Sequence, residues 1–94
     1  MINSGAKNRI KRSFGAERPT VWVGKGGATE QILGEIDRQL ERSEVVKAKI
    51  LQTALQTEEA KDVTVGIAAR TESTLVEVRG HTFILYRKRK RKQL

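Results

Sequence analysis

Apolar residues four apart mark the first element of the chain. Ile10 and Phe14 share one helical face, and Lys7 with Lys11 makes a second stripe. The spacing predicts a short helix over residues 4–14, with Ser4 as its N-cap. Glu17-Arg18-Pro19 breaks that pattern, and Thr20-Val21-Trp22-Val23 reads as a short strand. A glycine-rich segment follows, then a helix capped by Thr29, because Ile32, Ile36 and Leu40 recur every fourth residue with Leu33 beside them. Its outer face carries Glu30, Glu35, Asp37, Arg38, Glu41 and Arg42.

From Glu44 to Ile50 the period changes to two. Val46, Ala48 and Ile50 fall on one side, Lys47 and Lys49 on the other, the pattern of a half-exposed strand. Residues 58–71 satisfy both periods. Val63, Val65, Ile67 and Ala69 alternate, yet Ala60, Val63 and Ile67 also line a helical face behind Glu58 and Glu59, so pattern alone leaves the segment open. Residues 74–79 and 82–86 read as strands joined through Gly80-His81, where glycine at the first central position suits a type II′ turn. The resulting order is α-β-α-β-(α)-β-β. It implies a single small α/β (α+β) domain with a mixed sheet, helices mainly on one face, and the other face partly open beside Lys47 and Lys49.

Ninety-four residues suffice for one domain. Charged residues make up 32% and apolar ones 37%, which implies a thin core. There is no cysteine, which excludes disulfides and thiolate metal sites. No apolar run reaches the roughly 20 residues a spanning helix needs, and no apolar segment follows the basic start, so a cytoplasmic location and no membrane partner are expected.

The net charge of +8 is unevenly placed. Residues 1–18 hold five basic side chains against Glu17, and Arg87, Lys88, Arg89, Lys90, Arg91 and Lys92 form an unbroken run of six. Residues 19–86 carry eight basic and ten acidic side chains, an ordinary balanced domain. This divides the chain into a domain over 1–87 and a basic tail over 88–94. Such ends seek polyanions, nucleic acid before an acidic membrane, since neither a large apolar helix face nor a lipidation signal accompanies them. A tail that only solubilises is the alternative.

Gly24-Lys25-Gly26-Gly27, between strand and helix, is the most informative segment. Glycines allow positive φ and bring bare backbone close to a phosphate, and the following helix presents its N–H groups. A P-loop would need lysine and a hydroxyl after the last glycine, and a dinucleotide fingerprint would need glycine where Thr29 stands. A G-x-x-G backbone clamp needs only Gly24 to Gly27 beside a helix, which fits. A turn that merely reverses the chain would use the same glycines.

Here the chain resembles the CRM domain, the chloroplast RNA splicing and ribosome maturation family, in its stand-alone bacterial and archaeal form. The resemblance rests on Gly24-Lys25-Gly26-Gly27 with Thr29, on Ile32-Leu33-Gly34-Glu35-Ile36, on Glu44-Val45-Val46-Lys47-Ala48-Lys49-Ile50 and on Leu85-Tyr86-Arg87, in order from about residue 4 to residue 87. It implies a fold like the C-terminal domain of a bacterial translation initiation factor, with a four-stranded sheet and a helix at 58–71. It implies binding of structured RNA and association with precursors of the large ribosomal subunit, with Gly24, Lys25, Gly26 and Gly27 as the G-x-x-G loop. Two departures stand out: Ala28 replaces a larger apolar residue, and Arg70-Thr71-Glu72-Ser73-Thr74 replaces a glycine-containing turn.

The expected RNA contacts are thus Gly24, Lys25, Gly26, Gly27 and Thr29 in the clamp. Lys7, Arg9, Lys11, Arg12, Lys47, Lys49 and the run Arg87, Lys88, Arg89, Lys90, Arg91, Lys92 supply attraction. Trp22 can stack on a base or pack beneath the first helix, and packing is the expectation. Tyr86 is expected in the core and His81 in a hairpin turn. No carboxylate pair, serine–histidine pair or metal cluster is legible, so no enzyme, no cofactor, no metal and no small-molecule substrate are expected. The rival readings are a protein-interaction module with basic arms and a nucleotide-phosphate enzyme.

Overall fold

The computed structural model describes residues 3–55 and 59–88. Helix α1 spans Ser4–Phe14, strand β1 Val21–Val23, helix α2 Glu30–Ser43 and strand β2 Val45–Ile50. A 3-10 helix, Gln52–Leu55, precedes helix α3 at Ala60–Arg70, and strands β3 (Thr74–Arg79) and β4 (Thr82–Tyr86) complete the domain. The ambiguous segment is therefore helical from Ala60. The N-cap of α1 is Asn3 rather than Ser4: its Oδ1 accepts from the Ala6 N–H at 2.8 Å. Both residues can cap, and the one a position earlier reaches the first free N–H groups. Glu44, expected to begin the second strand, instead caps α2 in the left-handed region at φ 65°, its N–H donating to the Leu40 carbonyl.

The sheet runs β1-β2-β4-β3, with β1 parallel to β2 and the other pairs antiparallel. Period-two alternation decides what each face carries. Val21, Val23, Val46, Ala48, Ile50, Phe83 and Leu85 point to one side, where Ile36 and Leu40 of α2 and Val63, Ile67 and Ala68 of α3 close a single core. Each of the larger side chains among these, the valines, leucines, isoleucines and Phe83, contributes about 1.5–3 kcal/mol when fully buried. Gly80 has φ 59°, and His81 is not among the residues of positive φ. The two-residue hairpin thus needs glycine at its first central position alone, as a type II′ turn does.

The opposite face is only half covered, and this positions the site. Lys47 alternates with core-facing Val46 and Ala48, and its Nζ donates to the carbonyls of Phe14 and Gly15 at 3.1 and 2.8 Å. That contact ties the C-terminal end of α1 to the sheet. Ile84 and Val76 lie on this face and are buried, Val76 being the extra residue of a bulge in β3. A groove beside them is lined by Ala6, Ile10 and Phe14 of α1 and by Tyr86. Tyr86 is half-buried against α1, not in the main core. Beyond α1 the face is open, and Trp22 there is 53% exposed, contrary to the packing expected for it. Alternation sets Trp22 on this face, but α1 lies over the strand ends near Tyr86 and leaves β1 bare.

Candidate nucleic-acid interface

The loop after β1 is closed by a hydrogen bond from the Gly27 N–H to the Gly24 carbonyl at 3.0 Å. Its third residue, Gly26, has φ 93°, and a Cβ there would stand 3.0 Å from Thr29 Cγ2. The bond and the positive φ fit a type II turn with glycine where that turn requires it. Lys25 occupies the preceding tip position and is exposed. Gly27 also has positive φ, 62°, and is buried, so the chain doubles back into α2. Thr29 caps that helix, its Oγ1 accepting from the Ile32 N–H at 3.3 Å. The result is exposed, side-chain-free backbone with a lysine beside it and the positive end of α2 behind. Glu30 in the first turn of α2 already answers part of that positive end.

A polar cleft of about 260 Å³ separates this loop from α3, lined by Gly26, Ala28, Asp62, Gly66 and Arg70 among others. Arg70 donates from Nη1 to the Ala28 carbonyl at 3.3 Å. It supplies a second cation at the loop that the sequence did not single out. The only signal was its place in the last turn of a helix whose very existence the pattern left open.

The remaining basic residues divide. Lys7, Arg9, Lys11 and Arg12 sit on α1, on the same side of the sheet as exposed Lys49. Lys47, expected to be available, is engaged by the end of α1. Arg87 is engaged more fully. Its guanidinium donates to Asp37 Oδ1 at 2.7 Å, the Thr71 carbonyl at 2.8 Å and Glu41 Oε1 at 3.1 Å, and its side chain is 17% exposed. It holds the end of β4 to α2. Lys88 is exposed; Arg89, Lys90, Arg91 and Lys92 lie outside the described residues. The tail leaves from the end of the sheet opposite the glycine loop, because β4 runs antiparallel to β2 and ends beside Val45. Five residue steps along β2 set the two ends about 17 Å apart.

The acidic side chains of α2 lie across the sheet from α1. Among them, the Glu35 carboxyl is held below its ordinary value, first by the hydrogen bond from Arg38 and then by that from Gln39. Among the described residues no group of three or more His, Cys, Asp or Glu side chains could hold a metal ion, and no helix is long and apolar enough to cross a membrane.

The pattern described as the CRS1 / YhbY (CRM) domain matches residues 2–87. The chain belongs to the CRM family. A "Probable RNA-binding protein" of Methanocaldococcus jannaschii is 36% identical over 85 residues, which cover 86% of this chain and 63% of that protein. The chain thus spans less than two thirds of this archaeal relative. Another "Probable RNA-binding protein", from Bacillus subtilis, is 32% identical over 93% of this chain and 90% of its own. A Haemophilus influenzae "RNA-binding protein" is 32% identical over 73% of this chain and 68% of its own. In shape, the chain is similar to a Staphylococcus aureus protein described as "a putative RNA binding protein", with a TM-score of 0.78, 28% identity, and coverage of 99% of this chain and 95% of that one. The CRM match takes in the glycine loop, α1 and the Arg87 clamp, and stops one residue before exposed Lys88.

Proposed function

We propose that this CRM domain is a non-enzymatic RNA-binding factor that acts on ribosomal RNA during maturation of the large subunit. The observation that carries the reading is the Gly24–Gly27 turn: Gly26 and Gly27 at positive φ, the bare backbone of Gly26 at the surface and exposed Lys25 at the tip. Backbone of this kind accommodates phosphate oxygens where any Cβ would intrude. The names of the CRM relatives support RNA as the polyanion. The basic residues of α1 and the run from Lys88 to Lys92 add sequence-independent attraction, and each phosphate they neutralise adds about 0.7–0.9 to the salt slope.

The direct test is Lys25→Glu. Lys25 is exposed and has no positive φ, so the change reverses a charge without disturbing the turn. Affinity for ribosomal RNA fragments falls about tenfold or more at low salt, and the slope of log affinity against log salt becomes shallower by about one contact. Unchanged binding by a folded variant removes the loop from the mechanism. Crosslinking in cells, followed by sequencing of the attached RNA, tests the ribosomal assignment.

A further inference from the structure

The strand registers bring four residues into one row across the uncovered half of the outer face. Trp22 is opposite Lys49, Lys49 opposite Thr82, and Thr82 opposite Arg79. Neighbouring strands lie about 4.8 Å apart, so the row is about 14 Å long. Lys49 and Arg79 are exposed, and the indole of Trp22 presents itself beside the Lys49 position. One exposed aromatic residue means little in itself, because apolar atoms make up much of any protein surface. Its setting is what matters. The nearest carboxylate on the face, Glu77, meets Arg79 at 3.8 Å, and with the Arg79 side chain 78% exposed this pair is weak and easily exchanged for an anion.

The row also continues into the glycine loop. Trp22, on β1, is two residues before Gly24, which opens the loop at the end of that strand. Leu51, itself 38% exposed, has its Cδ1 3.8 Å from where a Cβ on Gly24 would stand. An apolar ledge of Trp22 and Leu51 therefore lies between the Lys25 turn and the Lys49 and Arg79 cations.

We infer that this row is a second RNA contact, in which an unpaired nucleotide next to the clamped backbone stacks its base on Trp22 and sets its phosphates against Lys49 and Arg79. This rests on the RNA-binding reading above and adds to it a preference for unpaired RNA. A paired duplex keeps its bases stacked on one another and offers none to the indole. Stacking on an aromatic side chain is tolerant of sequence, because every base has a π-face.

Trp22 is the only tryptophan in the chain, so its emission reports on this site alone. The experiment measures emission and filter retention together, with a short unpaired adenine oligonucleotide and with a self-complementary RNA duplex. The unpaired strand quenches the emission; the duplex is retained with much less quenching. Trp22→Ala keeps its far-ultraviolet circular dichroism, because the indole lies outside the core, and weakens retention of the unpaired strand about 5- to 100-fold while leaving the duplex almost unaffected. Trp22→Phe restores most of the loss. Retention of the unpaired strand with unchanged emission, and with full affinity in Trp22→Ala, overturns the inference and leaves the RNA-binding reading standing. Emission that shifts with protein concentration alone, without RNA, assigns the ledge to a second copy and also overturns it. Failure to retain any RNA removes both.

Discussion

Glu72 is, with Glu44, one of the two non-glycine residues at positive φ among the described residues. It lies in the turn between α3 and β3 at φ 53° and is exposed. A side chain in this region costs roughly 1–2 kcal/mol, partly offset in a glycine by the greater freedom of its unfolded state. Glu72→Gly is therefore expected to stabilise the domain by about 0.5–1 kcal/mol, a rise of about 3–6 °C in melting temperature. A scan showing no rise would mean that Glu72 makes a compensating interaction. The resemblance to the CRM family marks this turn as lacking its usual glycine; the structure shows that the backbone keeps a shape a glycine would favour. Trp22 is the opposite case. Alternation correctly assigns it to the face away from Val21 and Val23, but nothing in a linear pattern says which half of a face a helix will cover. Asn3 and Ser4 likewise compete for one cap, and a pattern cannot separate neighbours of equal chemistry.

At the level of elements, the helices and strands were legible because their periods are long or strongly contrasted. Ile32, Ile36 and Leu40 admit one reading, as do Val46, Ala48 and Ile50. Residues 58–71 admit two, and tertiary packing resolves Ala60–Arg70 as helix: Val63, Ile67 and Ala68 bury against the sheet while Val65 stays half exposed. Arg87 shows what charge counting misses. It reads as the first of six cations, yet the register that places Tyr86 opposite Val45 carries Arg87 to the carboxylates of Asp37 and Glu41. Removing it leaves those acceptors and the Thr71 carbonyl without their donor. Arg87→Ala should cost about 1–3 kcal/mol by urea denaturation, with no change in the salt slope of RNA binding. A flattened slope with undiminished stability would return Arg87 to the binding tail.

The whole molecule is sorted by the sheet. Its core side carries the acidic α2, and its outer side carries basic α1, Lys49 and Arg79. The basic tail begins at exposed Lys88, one residue past the clamp. Deleting residues 88–94 should therefore do the reverse of Arg87→Ala. The melting temperature holds, and the salt slope of RNA binding falls by about 0.7–0.9 for each phosphate the tail had neutralised. An unchanged slope would make the run a solubilising appendage. Sequence located both basic ends and the glycine loop. It could not show that the loop and the end of β4 lie at opposite ends of the sheet, since that follows from the antiparallel pairing of β2 with β4.

That arrangement sets a minimum size for whatever the domain holds. On the proposed RNA-binding reading, the glycine loop and Lys88 near the end of β4 are about 17 Å apart, on the order of five nucleotide steps along one strand. A mononucleotide or a very short fragment reaches one of them at a time. Only a ligand with a longer footprint is held bivalently, and in that case the second grip closes within the complex, at the high local concentration the first one creates.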